Sequence, residues 1–192
     1  MAKTFRLLIA LAGTALTFVG APAFAAENLV CVDSGYSVAD EARMDGFVSG
    51  FDLVAWGKEG PPADIMQMIV ARADVCSKLY GWSDEATRYA VAFKMARVGL
   101  AGSERNGVLD SNQIAGLQKS ITREDVQKGK LVFGQMANAY RQGSTMLTES
   151  PDMFIGRLIL RSGVPAERAA AAGGWIGATI LCAHFTELFD AA

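Results

Sequence analysis

The amino-acid sequence predicts an all-α protein: one globular domain of six or seven helices that follows a cleaved signal peptide. Three observations indicate this fold class. Apolar residues recur at helical spacing, most segments open on a residue that can cap a helix, and no segment alternates apolar and polar residues with a period of two. Of the 192 residues, 51% are hydrophobic and 20% are charged, which is typical of a folded globular chain rather than a disordered one.

The N-terminal segment has the pattern of an export signal. Two basic residues precede an apolar run over residues 7–19, and Ala23-Phe24-Ala25 then supplies the small–x–small pattern of a cleavage site. The run is shorter than the roughly 20 residues that a permanent membrane span needs. We therefore expect a signal peptide over residues 1–25, a helical domain over residues 26–192 and a location in the bacterial periplasm.

The first half of the domain predicts three helices. Ser37 and Ser83 each precede acidic residues that suit the positive end of a helix dipole, and Gly81 suits a left-handed helix end. Residues 102–110 predict a loop. The predicted helices cover about residues 37–56, 62–80 and 83–101. The expected inner face of the first helix consists of Val38, Ala42, Phe47, Phe51 and Val54.

The second half predicts four further helices. Thr122 with Asp125 resembles a capping box, and Ser150-Pro151-Asp152 is the favoured order of cap, proline and acid at a helix start. Residues 143–149 predict a second loop. The predicted helices cover about residues 111–120, 122–142, 150–163 and 165–189.

The last predicted helix contains a run without charged side chains over residues 169–183. Such a run fits either a membrane span or a helix that its neighbours bury. We predict the buried helix and no stable membrane span, because the run is shorter than a span and meets His184 and Glu187 within one more turn. Glycines at 173, 174 and 177 would then let another helix approach closely.

Three cysteines, Cys31, Cys76 and Cys182, are expected to meet an oxidising environment after export. None of them has the Cys-x-x-Cys spacing of redox or zinc motifs. Loop-closure entropy does not choose among the three pairings, since a loop of about 45 residues contributes about 4 kcal/mol and a longer one only about 1 more. We predict a Cys31–Cys76 disulfide, because it would tether a loose N-terminal segment to a helix, and a buried Cys182 thiol.

No catalytic, cofactor-binding or metal-binding site is predicted. His184 is the single histidine, and on a helix it points away from Cys182, so the two would not share a metal. The net charge of −2 offers no basic face for a nucleic-acid partner. The acidic pairs lie in first turns of predicted helices, where the helix dipole explains them. These pairs are Asp40-Glu41, Asp84-Glu85 and Glu124-Asp125.

A globular exported chain without a ligand cluster is typical of a non-enzymatic protein. We expect it to bind a partner protein, or a second copy of itself, through a helix face. One alternative is an envelope hydrolase that uses acidic residues of the predicted loops, Glu104, Asp110 and Glu149. Another is an acid-stress chaperone, whose switch would depend on carboxylates that titrate near about pH 4.

Two segments resemble small helical periplasmic immunity proteins that neutralise type VI secretion effectors. Gly46-Phe47-Val48-Ser49-Gly50 follows an early cysteine, and Pro165-Ala166-Glu167-Arg168 leads through an alanine-rich helix to Cys182. That family usually carries a cysteine before the first glycine, where this chain has Asp45. The resemblance implies a further alternative, an immunity protein whose partner is a secreted effector.

Overall fold

The computed structural model describes residues 28–142 and 150–192, so the predicted signal peptide and the predicted loop at 143–149 lie outside the described residues. All secondary structure in the described part is helical, which confirms the all-α prediction. Its α-helices are α1 (Val38–Ser49), α2 (Leu53–Glu59), α3 (Ala63–Tyr80), α4 (Asp84–Arg105), α5 (Ser111–Ser120), α6 (Arg123–Gln142), α7 (Pro151–Ser162) and α8 (Ala169–Asp190). Short 3-10 helices at Leu29–Asp33 and Ala166–Arg168 precede α1 and α8.

The described chain has eight α-helices where six or seven were predicted, because the first predicted helix is two. The N–H of Gly50 closes α1 by donating to carbonyls of its last turns. Two residues on, the Asp52 carboxylate accepts from the N–H of Ala55, 3.1 Å away, and so begins α2. The predicted inner face was also wrong in part, since Val38 is 85% exposed whereas Val48 and Phe51 are buried. Ala42 is exposed as well, and Phe47 is half-buried. The side chain of Val54 is not among those that the structure describes.

Two other predicted boundaries shift. Helix α4 continues to Arg105, so the first four residues of the predicted 102–110 loop are helical. Within that extension the buried Ser103 hydroxyl donates to the Gly99 carbonyl, 2.8 Å away, and satisfies itself inside the helix. The last helix begins at Ala169, because the residues after Pro165 first form a 3-10 helix.

The predicted helix caps are confirmed where the structure describes them. The hydroxyls of Ser37, Ser83 and Ser150 each accept an N–H at the start of a helix, and Thr122 exchanges hydrogen bonds with Asp125. Left-handed glycines end α3 and α7, at Gly81 and Gly163. A second capping box, Asp110 with Gln113, begins α5.

Helices α4 and α8 form the most extensive helix–helix contact of the described chain. Helices α1 and α3 pack against α4, while α6 and α7 pack against α8. Three apolar clusters fill the spaces between these helices. Their central residues are Cys76, Phe93 and Phe189 in the first, Phe154, Ile176 and Ile180 in the second, and Val48, Ile69 and Val98 in the third.

The N-terminal 3-10 helix is held against α3 at its cysteine. The Sγ atoms of Cys31 and Cys76 lie 2.04 Å apart, at disulfide distance. Arg72 of α3 donates to the Cys31 carbonyl over 3.1 Å, and its guanidinium lies where a Cβ on Gly35 would stand. Cys182 is a free, half-buried thiol, and burial raises its pKa to about 11.

Peptide mass mapping without reduction should recover Cys31 linked to Cys76 and Cys182 as a free thiol. Replacing both Cys31 and Cys76 with serine should lower the free energy of unfolding by about 4 kcal/mol, because the bond closes a separation of 45 residues in the unfolded chain. Denaturant unfolding measures this loss. The Cys182→Ser control should keep the crosslink, and recovery of a Cys76–Cys182 peptide would contradict the pairing.

Candidate ligand-binding cleft

A cavity of about 530 Å³ opens between α4 and α8, and we name it the α4–α8 cleft. Residues of the α1–α2 connection, of α2 and around the start of α3 also line it. Its volume lies within the roughly 300–1,000 Å³ of small-molecule sites. The lining residues are Phe51, Leu53, Trp56, Pro61, Met66, Arg88, Val91, Ala92, Met95, Ala96, Gly99, Ser103, Gly174, Gly177, Ala178, Leu181 and Phe185.

Small residues on both helices leave the space open. On α4, Ala92, Ala96, Gly99 and Ser103 recur every three or four residues and so share one face. Although Gly99 is itself buried, no heavy atom lies within 4 Å of the position that its Cβ would take. The missing side chain therefore borders empty space rather than a neighbour.

Two other glycines admit the wall of the cleft. A Cβ on Gly102 would lie 2.3 Å from Cγ of Phe51, and one on Gly174 would lie 2.5 Å from Cδ2 of Leu53. Both distances are far shorter than a van der Waals contact, so only glycine lets these two side chains reach the helices. Gly174 thus allows a close approach by a neighbouring element, as predicted. Gly102, within the predicted 102–110 loop, allows a second one.

Aromatic side chains on both sides of the α1–α2 break make the wall stiff. The ring centroids of Phe51 and Trp56 lie 5.4 Å apart, and Phe47 stands 6.0 Å from Phe51 and 5.7 Å from Trp56. Such tilted and edge-on contacts are the favoured geometries of aromatic pairs. The break at residues 50–52 is therefore what turns two of these rings toward the cleft.

The lining contains few polar groups. The Ser103 hydroxyl is already bonded within α4. Arg88 is the single charged residue among the lining residues, lies exposed, and forms no ion pair or hydrogen bond within the described chain. The cleft is thus an apolar trough with one cation at its edge.

Helix α8 keeps much apolar surface outside the core. Its buried residues include Trp175, Ile176 and Ile180, yet only 28% of its most apolar 18-residue window is buried. By length and composition alone, the segment Ala166–Asp190 is apolar enough to cross a membrane. Within the described fold part of this apolar surface, including Leu181 and Phe185, lines the cleft. The absence of a stable span stays a prediction.

The carboxylates proposed for hydrolysis have structural partners where they are described. Glu104 lies on α4 and accepts from the indole N–H of Trp175, 3.0 Å away, while Asp110 caps α5. Glu149 lies outside the described residues. Each adjacent acidic pair lies in the first turn of a helix, as predicted. Among residues 28–142 and 150–192, no group of histidine, cysteine and acidic side chains could hold a metal ion.

His184 stands beside an ion pair between a buried lysine and an exposed glutamate rather than beside a nucleophile. The Lys130 side chain of α6 is only 7% exposed, and its ammonium donates to Glu187 of α8. This hydrogen bond lowers the pKa of Glu187, and burial lowers the pKa of His184. The group ties α6 to α8, and none of its three residues lines the α4–α8 cleft.

No protein family, curated protein or solved structure matches this chain. The resemblance to periplasmic immunity proteins therefore receives no support from these comparisons. The case for function depends on the geometry of the cleft.

Two alanine substitutions one turn apart on α4 test whether the cleft is open. Gly99→Ala should raise the free energy of unfolding by about 0.5–1 kcal/mol, because the helix gains propensity and the methyl group enters free space. Gly102→Ala should lower it by about 1–3 kcal/mol, because its methyl group collides with the Phe51 ring. Urea unfolding of both variants measures the signs, and destabilisation by Gly99→Ala would mean that the cleft is filled.

Removing the Glu187 carboxylate should weaken the fold in a pH-dependent way. Because the pKa of Glu187 is lowered on folding, its stabilising effect is present above its unfolded value of 4.5 and disappears as the pH falls through the folded value. Glu187→Gln should cost about 1 kcal/mol at about pH 7 and almost nothing at about pH 3. Urea unfolding across this range measures the difference, and Asp190→Asn, at the exposed end of α8, is the control. An equal loss at both pH values would contradict the pairing.

Proposed function

We propose that this protein is a non-enzymatic binding protein of the bacterial periplasm that holds an apolar small molecule in the α4–α8 cleft. The observation that carries the proposal is the cleft itself, a concave space of about 530 Å³ with mainly apolar and aromatic lining. Sites of this shape and lining bind small molecules by burying most of their surface. The export pattern of residues 1–25 supports the periplasmic location.

Two observations favour binding over catalysis. The two described carboxylates considered for hydrolysis have structural roles: Glu104 accepts a hydrogen bond from the Trp175 indole, and Asp110 caps α5. The cleft lining carries no acid, histidine or cysteine that could act as a base or nucleophile. Its residues are suited to contact and exclusion of water.

The cleft also changes the kind of ligand that is expected. A partner protein bound through a helix face needs a broad contact of roughly 800 Å² on each side. Part of the free apolar surface of α8 instead borders a trough that Phe51 and residues of α2 line from the side. Such a trough surrounds a small molecule better than it pairs with a flat surface.

A fluorescent dye tests the proposal directly. N-phenylnaphthylamine is neutral and emits strongly only in apolar surroundings, and Trp56 in the cleft wall can transfer excitation energy to it. The unmodified protein should bind the dye at one saturable site. Gly99→Leu should weaken binding by about tenfold or more, because the leucine side chain occupies the trough.

Gly156→Leu is the matched control. Gly156 lies in the middle of α7 with open space beside it and does not line the cleft. Thermal unfolding of both leucine variants establishes that they fold, and Gly99→Ala provides a smaller, stabilising version of the same block. Equal dye affinity in Gly99→Leu and Gly156→Leu would place the dye elsewhere and refute the proposal.

A further inference from the structure

From the position of Arg88 we infer that the ligand is a fatty acid: a single alkyl chain along the α4–α8 cleft with its carboxylate at the Arg88 guanidinium. The inference depends on the proposed function and names the chemical class of its ligand. Three features support it, namely one cation, an elongated apolar trough, and the absence of acidic groups from the lining.

Arg88 is available to an anion. It is exposed and has no ion pair or hydrogen bond with any described residue, whereas other cations of α4 are engaged. Lys94 and Arg97 both pair with Asp33, and Arg105 pairs with Asp45. An arginine side chain presents two parallel N–H groups that match the two oxygens of a carboxylate.

The acids closest in sequence to Arg88 do not line the cleft. Glu85 accepts the Tyr89 hydroxyl over 2.8 Å, and Asp84 lies exposed in the first turn of α4. With no acidic lining residue, an anion inside the cleft contacts no carboxylate. Charge complementarity therefore selects an anionic head group over a cationic one.

The trough is long as well as apolar. Its lining follows α4 from Arg88 to Ser103, which is about 22 Å of helix at 1.5 Å per residue. Gly99 and Gly177 lie within this length and present no side chain across it. Flexible Met66 and Met95 side chains border the same path and adapt to an alkyl chain.

The count of charges favours a carboxylate over a phosphate. The lining offers one cation, and a carboxylate brings one negative charge. A phosphate monoester carries about 1.5–2 negative charges near neutral pH and would leave part of its charge unpaired beside apolar surface. A free fatty acid satisfies the site, and an alkyl phosphate does so less well.

Displacement of N-phenylnaphthylamine at about pH 7.5, where a carboxyl group is ionised, tests the inference. Tetradecanoate should displace the dye about two- to fivefold more effectively than tetradecanol, which is the range expected for an exposed ion pair. Across decanoate, dodecanoate and tetradecanoate, affinity should rise about fourfold for each methylene group that the cleft buries.

Arg88→Gln should abolish the preference of the unmodified protein for tetradecanoate over tetradecanol. Arg123→Gln is the matched control, since Arg123 is also exposed and without an ion pair in the described chain but lies outside the cleft. It should preserve the two- to fivefold preference.

The outcomes separate the inference from the proposed function. Equal binding of acid and alcohol, a stronger effect of tetradecyl phosphate, or an unchanged preference in Arg88→Gln would overturn the fatty-acid assignment. In each of these cases the effect of Gly99→Leu on the dye would still support an apolar ligand site. If Gly99→Leu left the dye affinity unchanged, both the proposed function and the fatty-acid assignment would be refuted.

Discussion

The fold depends on how closely α4 and α8 approach each other and their neighbours. Small residues line the facing sides of both helices. Neighbouring side chains can therefore pack directly on the helix backbone, where large side chains would hold the helices apart. The side chains of Phe51 and Leu53 fill the space beside Gly102 and Gly174. No side chain fills the space beside Gly99, and this unfilled volume is part of the cleft. Packing and function therefore arise from the same short side chains.

The second constraint is the break between α1 and α2. In a continuous helix Phe51 and Trp56, five residues apart, would point about 140° away from each other, and their rings would not meet. The break at Gly50 and the new start at Asp52 redirect the chain within three residues. Phe51 in the connection and Trp56 on α2 then meet and form one aromatic wall beside α4. The break at residues 50–52 thus shapes one wall of a cleft whose other lining residues lie mainly on α4 and α8.

Local signals made most of the fold predictable. Serine caps, first-turn acids and left-handed glycines act over one helical turn, so the helix starts at Ser37, Ser83 and Ser150 and the ends at Gly81 and Gly163 could be read directly. The α1–α2 break is not evident in the sequence because apolar residues on both sides keep helical spacing across Gly50. Helix α4 continues beyond its predicted end because packing of Gly102 against Phe51 overrides the loop propensity of Gly102 and Ser103.

The cleft was beyond reach for a different reason. Ala92, Ala96, Gly99 and Ser103 share one face of α4, but whether a neighbour fills such a face depends on residues about 70–95 positions away on α8. The sequence also does not show that Arg88 lacks an ion-pair partner in the described chain, because that depends on which side chains the fold places around it. By contrast, the absence of Cys-x-x-Cys spacing could be read from the sequence, because it concerns residues close along the chain.

The span between Cys31 and Cys76 has a mechanical consequence for the cleft. Every lining residue that comes before α4 lies within this covalent loop, from Phe51 through Trp56 to Met66. The opposite wall, on α4 and α8, lies wholly outside it. The bond therefore closes the segment that carries this wall and restricts the conformations that the segment can adopt. An oxidising compartment would keep the segment closed at its base, while a reducing one would leave its shape to packing alone.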